Sequence, residues 1–302
     1  MTATIQSSGK ATAAPAAPPV SIRSVLFFSD LSPESDQALD HARFLAEHFG
    51  ARLTLSHVVE VPPRRDPEPW PAQDEVVRRA VRDAREHLER HAERLSTPSD
   101  IIVERERSLD WALVGQVRRE CPDLVVMRTH TRAGLAHVFP GSLAEKVLQN
   151  GRVPVLCIRE PEHGVAVPYR RILVPTDLSA RSRRAFPLAA HFARRFDALV
   201  LALHVARVTV PSDLHGVPDA IEATTSEEAL RAFMGPDFDD VRVIPRVLLG
   251  TACDVIGATA STERADLIVL STHGHDSLGD RIIGSHAERV IRHSTCPVLV
   301  VP

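Results

Sequence analysis

The chain states one pattern twice, and that repetition limits what it can fold into more than any single motif does. Val25-Leu-Phe-Phe-Ser-Asp-Leu-Ser32 matches Ile172-Leu-Val-Pro-Thr-Asp-Leu-Ser179, and His57-Val58 matches His204-Val205, both at an offset of 147 residues. Farther on, Asp123-Leu-Val-Val, Thr129-His130, Gly141-Ser142 and Pro154-Val-Leu match Asp266-Leu-Ile-Val, Thr272-His273, Gly284-Ser285 and Pro297-Val-Leu at an offset of 143. The shortening falls between the second and fourth strands of each copy. There the first copy carries an amphipathic stretch over Asp74–Leu95 and the second a Gly/Pro-broken segment with a short helix near Ser226–Met234. A variable middle on a constant frame reads as a surface helix with its loops, outside the core.

Within each copy, strand-length and helix-length apolar patterns alternate: Val25–Phe28, Pro33–Phe49, Leu53–Val58, then the amphipathic stretch. Ser32-Pro33 is a helix start, a capping hydroxyl followed by a proline where its missing N–H costs nothing, and Gly50 is the stop. Leu267–Leu270 and Pro297–Val301 are nearly unbroken aliphatics, the composition of strands buried on both faces, which implies a parallel sheet between helix layers. The expected fold is therefore α/β, two tandem doubly wound domains at 21–160 and 168–302. Each holds a five-stranded parallel sheet flanked by helices, and they join near Glu160-Pro-Glu-His-Gly164. Residues 1–20, small, polar and Pro/Ala-rich, are expected to be a disordered tail without the apolar core of a secretory leader.

Composition closes off several functions. A formal net charge of −3 at pH 7 leaves no general attraction to nucleic acid or anionic lipid. The arginines of Val76–Arg94 are interleaved with Asp83, Glu86, Glu89 and Glu93, as on a solvated helix face. No apolar run reaches the roughly 18 residues a membrane helix needs, so a cytoplasmic protein is expected. Cys121, Cys157, Cys253 and Cys296 show no CxxC spacing and read as reduced packing residues, neither a disulfide framework nor a thiolate metal site.

In a doubly wound sheet, ligands sit beyond the carboxyl ends of the strands. In the second copy those ends bring Pro175, Thr176 and Asp177, then Val205, Gly250 with Ala252, and Ser271-Thr-His273-Gly274 to one edge. After nine intervening residues Gly274 is followed by Gly284-Ser285, which open the helix His286–His293. Glycines let backbone approach a polyanion, and the amides at a helix start can hold phosphate oxygens. This is a phosphate cradle with no Walker lysine.

On these residues the second copy resembles a universal stress protein domain of the ATP-binding kind, whose fingerprint is Gly-x2-Gly-x9-Gly-Ser/Thr. Ser271-Thr-His-Gly274-x9-Gly284-Ser285 departs from it only where Ser271 replaces glycine. The resemblance implies that Asp177 contacts a ribose, that backbone around Val205 reads adenine, and that Gly250 and Ala252 line the nucleotide. Gly274, Gly284 and Ser285 would hold the phosphates, and Mg²⁺ would arrive with ATP, held mostly by phosphates and water. It also implies pairing of Pro154–Ile158 with Pro297–Val301, a pseudo-dimer within one chain. So apolar a strand left as an edge would favour a homodimer as well.

The first copy reads Arg128-Thr-His-Thr131-x9-Gly141-Ser142, with Ser108 aligned to Gly250, so side chains stand where glycines should be and ATP is not expected there. Arg128 could instead serve another anion.

Plainer readings stand beside these. Ser285-x-x-Glu288 and Ser142-x-x-Glu145 are also capping boxes, and Asp30 and Asp177 could simply tie turns. Gly279 gives the spacer a turn. His57, His130, His204 and His273 lack an adjacent nucleophile, and His273, His275 and His286 could gather as metal ligands or be loop and surface histidines.

The leading function is a nucleotide-responsive stress factor that binds adenine nucleotide in its second domain. One alternative is a slow ATP hydrolase or nucleotidyl-transfer enzyme using Asp276, Asp280 and Arg281. The other is an interaction scaffold with both sites lost.

Overall fold

The computed structural model describes residues 20–61, 70–129, 142–159, 167–206, 227–272 and 284–302. The expected tail, the Glu160–Gly164 junction and the spacer carrying His273, Gly274, His275, Asp276, Gly279, Asp280 and Arg281 lie outside them.

The first half runs β1 (Ser24–Phe28), α1 (Pro33–Phe49), β2 (Arg52–Glu60), α2 (Trp70–Ala92), β3 (Ser99–Glu106), α3 (Leu109–Glu120), β4 (Leu124–Arg128), α4 (Ser142–Gly151) and β5 (Val155–Ile158). The second repeats the order with β6 (Arg171–Thr176), α5 (Phe186–Phe196), β7 (Leu199–Ala206), α6 (Glu227–Met234), β8 (Val243–Leu249), α7 (Ala252–Thr262), β9 (Leu267–Ser271), α8 (Ser285–His293) and β10 (Val298–Val301). Short 3₁₀ turns at Ser182–Ala185 and Gly235–Phe238 precede α5 and follow α6.

Each half is a parallel sheet, as its aliphatic strands require, and the halves join into one ten-stranded sheet of order β3-β2-β1-β4-β5-β10-β9-β6-β7-β8. The seam is the one antiparallel pairing among the described strands, β5 with β10, with Leu299 opposite Leu156 and Val300 opposite Val155. The final strands are therefore central, and the sheet's edges are β3 and β8. This corrects the argument for a homodimer: the apolar strands that would have needed a second chain cover each other.

Local chemistry explains the frame. The Ser32 hydroxyl accepts from the Ser35 amide at 3.1 Å, and α1 ends at Gly50, whose left-handed φ of 65° lets its N–H reach the carbonyls of Ala46 and Glu47. Asp123 Oδ2 accepts from the amides of Arg23 and Ser24, and Asp266 Oδ2 from those of Arg170 and Arg171. These repeated aspartates pin the start of the fourth strand to the start of the first.

The halves also share one side of their core. Tyr169 is fully buried, and its ring packs near Phe44 of α1 and Phe192 and Phe196 of α5. Its phenol, pushed up by burial, stays protonated and shares a hydrogen bond of 2.8 Å with His41 Nδ1. Burial pushes His41 down to about 4, so the ring is neutral.

Candidate functional site

The strand order reverses between β1 and β4 in the first half and between β6 and β9 in the second. At such a reversal the connecting helices leave for opposite faces, opening a crevice beyond the strand ends. Thr176 closes β6 and Ser271 closes β9, with Asp177 just beyond, so three of the residues singled out in the sequence flank the second crevice. Val205 lies one residue before the end of β7, in register with Leu248 of β8.

The chain leaves β6 through a tied turn. Asp177 Oδ1 accepts from the Ser179 amide at 3.0 Å, Thr176 Oγ1 accepts from the Leu178 amide at 3.1 Å, and Leu178 takes φ 62°. The first half builds the same turn: Asp30 Oδ1 accepts from the Ser32 amide at 2.9 Å, and Leu31 takes φ 61°. The turn-tying role read as one alternative for both aspartates is thus present in each half. His204 Nδ1 lies 2.9 Å from the Thr176 carbonyl and His57 Nδ1 2.8 Å from that of Ser29, drawing the second strand's end to the first's. Burial lowers the pKa of His57 and keeps it neutral, so its repeat-matched position is explained by this tie.

Two helices begin at this edge, α8 capped by a glycine and α7 with a glycine just before its N-cap. The Gly284 amide donates to the Thr272 carbonyl at 2.7 Å, closing the spacer's two ends onto each other. A Cβ on Gly284 would lie 3.2 Å from that same oxygen, so the close approach favours glycine. Gly284 is the N-cap of α8 and offers no side chain to its first-turn amides. Ser285 is consequently the first helical residue, and the predicted capping box is out of register: Glu288 pairs with Arg292 at 2.5 Å. Gly250 has φ 142°, a region L-residues rarely adopt, and a Cβ there would meet Val255 at 2.9 Å. It is followed by Thr251, whose side chain does not cap α7, and by Ala252, the first residue of that helix.

Ser271 is extended, as the last residue of a regular strand, so it replaces the family glycine without backbone strain. Beside α7, Cys253 Sγ lies 3.4 Å from His286 Nδ1. Cys253 is partly exposed with its pKa raised chiefly by burial, so it is a thiol and not a thiolate at neutral pH. Burial pushes Cys157 up to about 12 and Cys296 to about 11, fitting packing residues, whereas Cys121 is an exposed helix end and does not pack.

The first crevice is built differently. Arg128, at the end of β4 where Ser271 ends β9, lies mostly buried with Nη1 3.8 Å from Glu34 Oε2 in the first turn of α1. The repeat offset sets Glu34 against Arg181, so the second half carries an arginine at the position of that acid. Sequence reasoning missed that exchange because it compared glycine loops alone. It also misaligned one residue: the Ser108 carbonyl accepts from the Ala112 amide as the Thr251 carbonyl does from Val255, so Ser108 matches Thr251 and Arg107 stands at Gly250. The correction puts a larger side chain at the glycine position.

Fold and crevice together define a tandem doubly wound α/β protein with its candidate site at a topological switch point. The family model described as the universal stress protein family matches residues 21–159 and again 168–302, and the chain belongs to that family. A universal stress protein of Methanocaldococcus jannaschii is 36% identical over 140 residues, 44% of this chain and 82% of its own length. One of Mycobacterium tuberculosis is 28% identical over 293 residues, 90% of this chain and 94% of its own, so the likeness runs through both halves. Among solved structures, a universal stress protein from Archaeoglobus fulgidus covers 93% of this chain and 97% of its own with a TM-score of 0.68 at 19% identity, a likeness of fold. No helix among the described residues is long and apolar enough to cross a membrane.

Proposed function

We propose that the second half, within the boundaries 168–302, binds an adenine nucleotide, with ATP and its Mg²⁺ as the reference ligand, and that occupancy regulates shape or partner choice in a cytoplasmic stress response. The observation that carries this reading is the start of α8: a glycine cap that is pressed against Thr272 and offers no side chain of its own to the first-turn amides, and a crevice at the strand reversal. Such amides and the helix dipole favour phosphate oxygens. Ser285 would add a hydroxyl, His273 and Gly274 would lie along the spacer, and the Asp177 carboxylate, oriented by its turn, would accept from a ribose hydroxyl. Pro175, Val205, Gly250 and Ala252 would form the walls.

The first half, within 21–160, is read as unable to take the same ligand. Arg128 and Glu34 bridge its mouth and Arg107 stands at the glycine position. Native mass spectrometry of the purified full chain tests the proposal. Adenine nucleotide at about one per chain after MgATP incubation supports it, and no uptake at millimolar MgATP, or two per chain, overturns it.

A further inference from the structure

The amphipathic helix that distinguishes the first half carries more than a solvated face. His87 and His91 are one turn apart on α2, so both imidazoles leave the same side, with ring centroids 4.9 Å apart. They meet Asp36 from the first turn of α1. Asp36 Oδ1 lies 3.2 Å from His87 Nε2 and 3.3 Å from His91 Nε2, and the three donor atoms all fall within 4.8 Å of one another. We propose that Asp36, His87 and His91 form a site for one zinc-like divalent cation, clamping α1 to α2 beside the first crevice.

Three features support this assignment. Zinc–nitrogen and zinc–oxygen bonds of about 2.0–2.2 Å at tetrahedral angles separate neighbouring donors by roughly 3.3–3.5 Å, and both carboxylate–imidazole distances fall beside that range. The donor set selects the metal class, since two imidazoles and one carboxylate suit zinc and its first-row neighbours, whereas calcium and magnesium take oxygen. The side chains are also part-exposed, His87 and His91 at 22% and Asp36 at 32%, so solvent can deliver the ion and a water can complete its shell.

Among the described residues the second half has no matching set. By the repeat offset Arg183 stands where Asp36 does, its guanidinium lying 5.7 Å over the Phe233 ring and 3.9 Å from Asp237. The halves have thus diverged at equivalent positions, one toward metal ligands and the other toward a packed cation. The competing account of the trio is a pair of histidines bonded to one aspartate with no ion.

The experiment uses the full chain, stripped with chelator and titrated with Zn²⁺ against a chromophoric competitor, with Co²⁺ absorption reporting coordination. The expected result is one Zn²⁺ per chain, a rise in thermal midpoint with metal, and at least a hundredfold loss of affinity in His87→Gln/His91→Gln, with Asp36→Asn losing about tenfold or more. Cys253→Ser/His286→Gln serves as control, because that thiol and imidazole lie 3.4 Å apart and are a competing zinc-binding neighbourhood outside the site. Circular dichroism of each metal-free variant must match the parent. Micromolar Zn²⁺ failing to bind, or binding that survives the histidine substitutions and disappears in the control, would overturn the assignment. Since no readout involves nucleotide, the outcome stands apart from that of the second half.

Discussion

Gly284→Asp separates the role of α8 as a helix from its role as an anion site. Gly284 has φ −57° and ψ 139°, values open to any residue, so the substitution brings no backbone strain. The new Cβ would sit 3.2 Å from the Thr272 carbonyl, requiring that neighbour to give by a few tenths of an ångström. Set against that displacement of a backbone carbonyl, aspartate caps a helix better than glycine by a few tenths of a kcal/mol. Stability should therefore stay within about 1 kcal/mol of the parent, a shift of about 2–4 °C or less for domains of this size.

Binding should respond very differently. The new carboxylate would take up first-turn amides and stand about 4 Å from any phosphate at the helix start, where two unit charges repel by ~4 kcal/mol at an effective dielectric near 20. Halving that for solvent in an open crevice leaves about 2 kcal/mol, to which losing one charge-assisted hydrogen bond adds roughly 1.5–3 kcal/mol. The sum corresponds to a fall in MgATP affinity of at least about 300-fold. Isothermal titration calorimetry, paired with thermal denaturation of the ligand-free proteins, reads both quantities. A variant that folds like the parent and binds MgATP within threefold of it would refute the reasoning.

Three further outcomes follow from the geometry. Gly250→Ala should destabilise the chain by about 1–3 kcal/mol in urea denaturation, because the added Cβ meets Val255 at 2.9 Å on a backbone of φ 142°. Asp177→Asn should keep the turn, since an amide oxygen can still accept from Ser179, and leave stability within about 0.5 kcal/mol, whereas Asp177→Ala should cost about 1 kcal/mol. Both should weaken nucleotide binding about tenfold or more, and unchanged binding in the asparagine variant would restrict Asp177 to its structural role. His41 titrates about 4 in the fold against 6.5 in the unfolded chain, so the unfolded state takes the proton first. Its contribution is complete above 6.5 and disappears between 6.5 and 4, a loss of up to about 3 kcal/mol that His41→Phe should largely abolish in denaturation at pH 7 and pH 4.5.

Where structure is decided within a few residues, the sequence was sufficient. Ser32-Pro33 and Gly50 bound α1 because cap, proline and left-handed glycine act locally. The α2 helix was expected at Asp74–Leu95 and lies at Trp70–Ala92, as its amphipathic face has no comparable punctuation and tertiary packing sets the ends. The central seam came from the family resemblance, and the unbroken aliphatics of β5 and β10 explain why both strands tolerate burial on two faces. What stayed hidden depends on distant residues meeting. Arg128 reaching Glu34, Tyr169 reaching His41 and Asp36 reaching His87 join positions separated by 94, 128 and 51 residues. Local patterns carry no trace of such meetings. The Ser108 alignment was out by one residue for a different reason: the offset of 143 already holds here, setting Ser108 against Thr251 and Arg107 against Gly250, and the first-turn hydrogen bonds of α3 and α7 agree with it.

A crystal of the full chain grown in excess MgATP would test the central claim directly. Phosphate density against the amides of Ser285 and His286, with the crevice between β1 and β4 empty, is the predicted result. Nucleotide seated beside Arg128, or a bare helix start at Gly284, would contradict it.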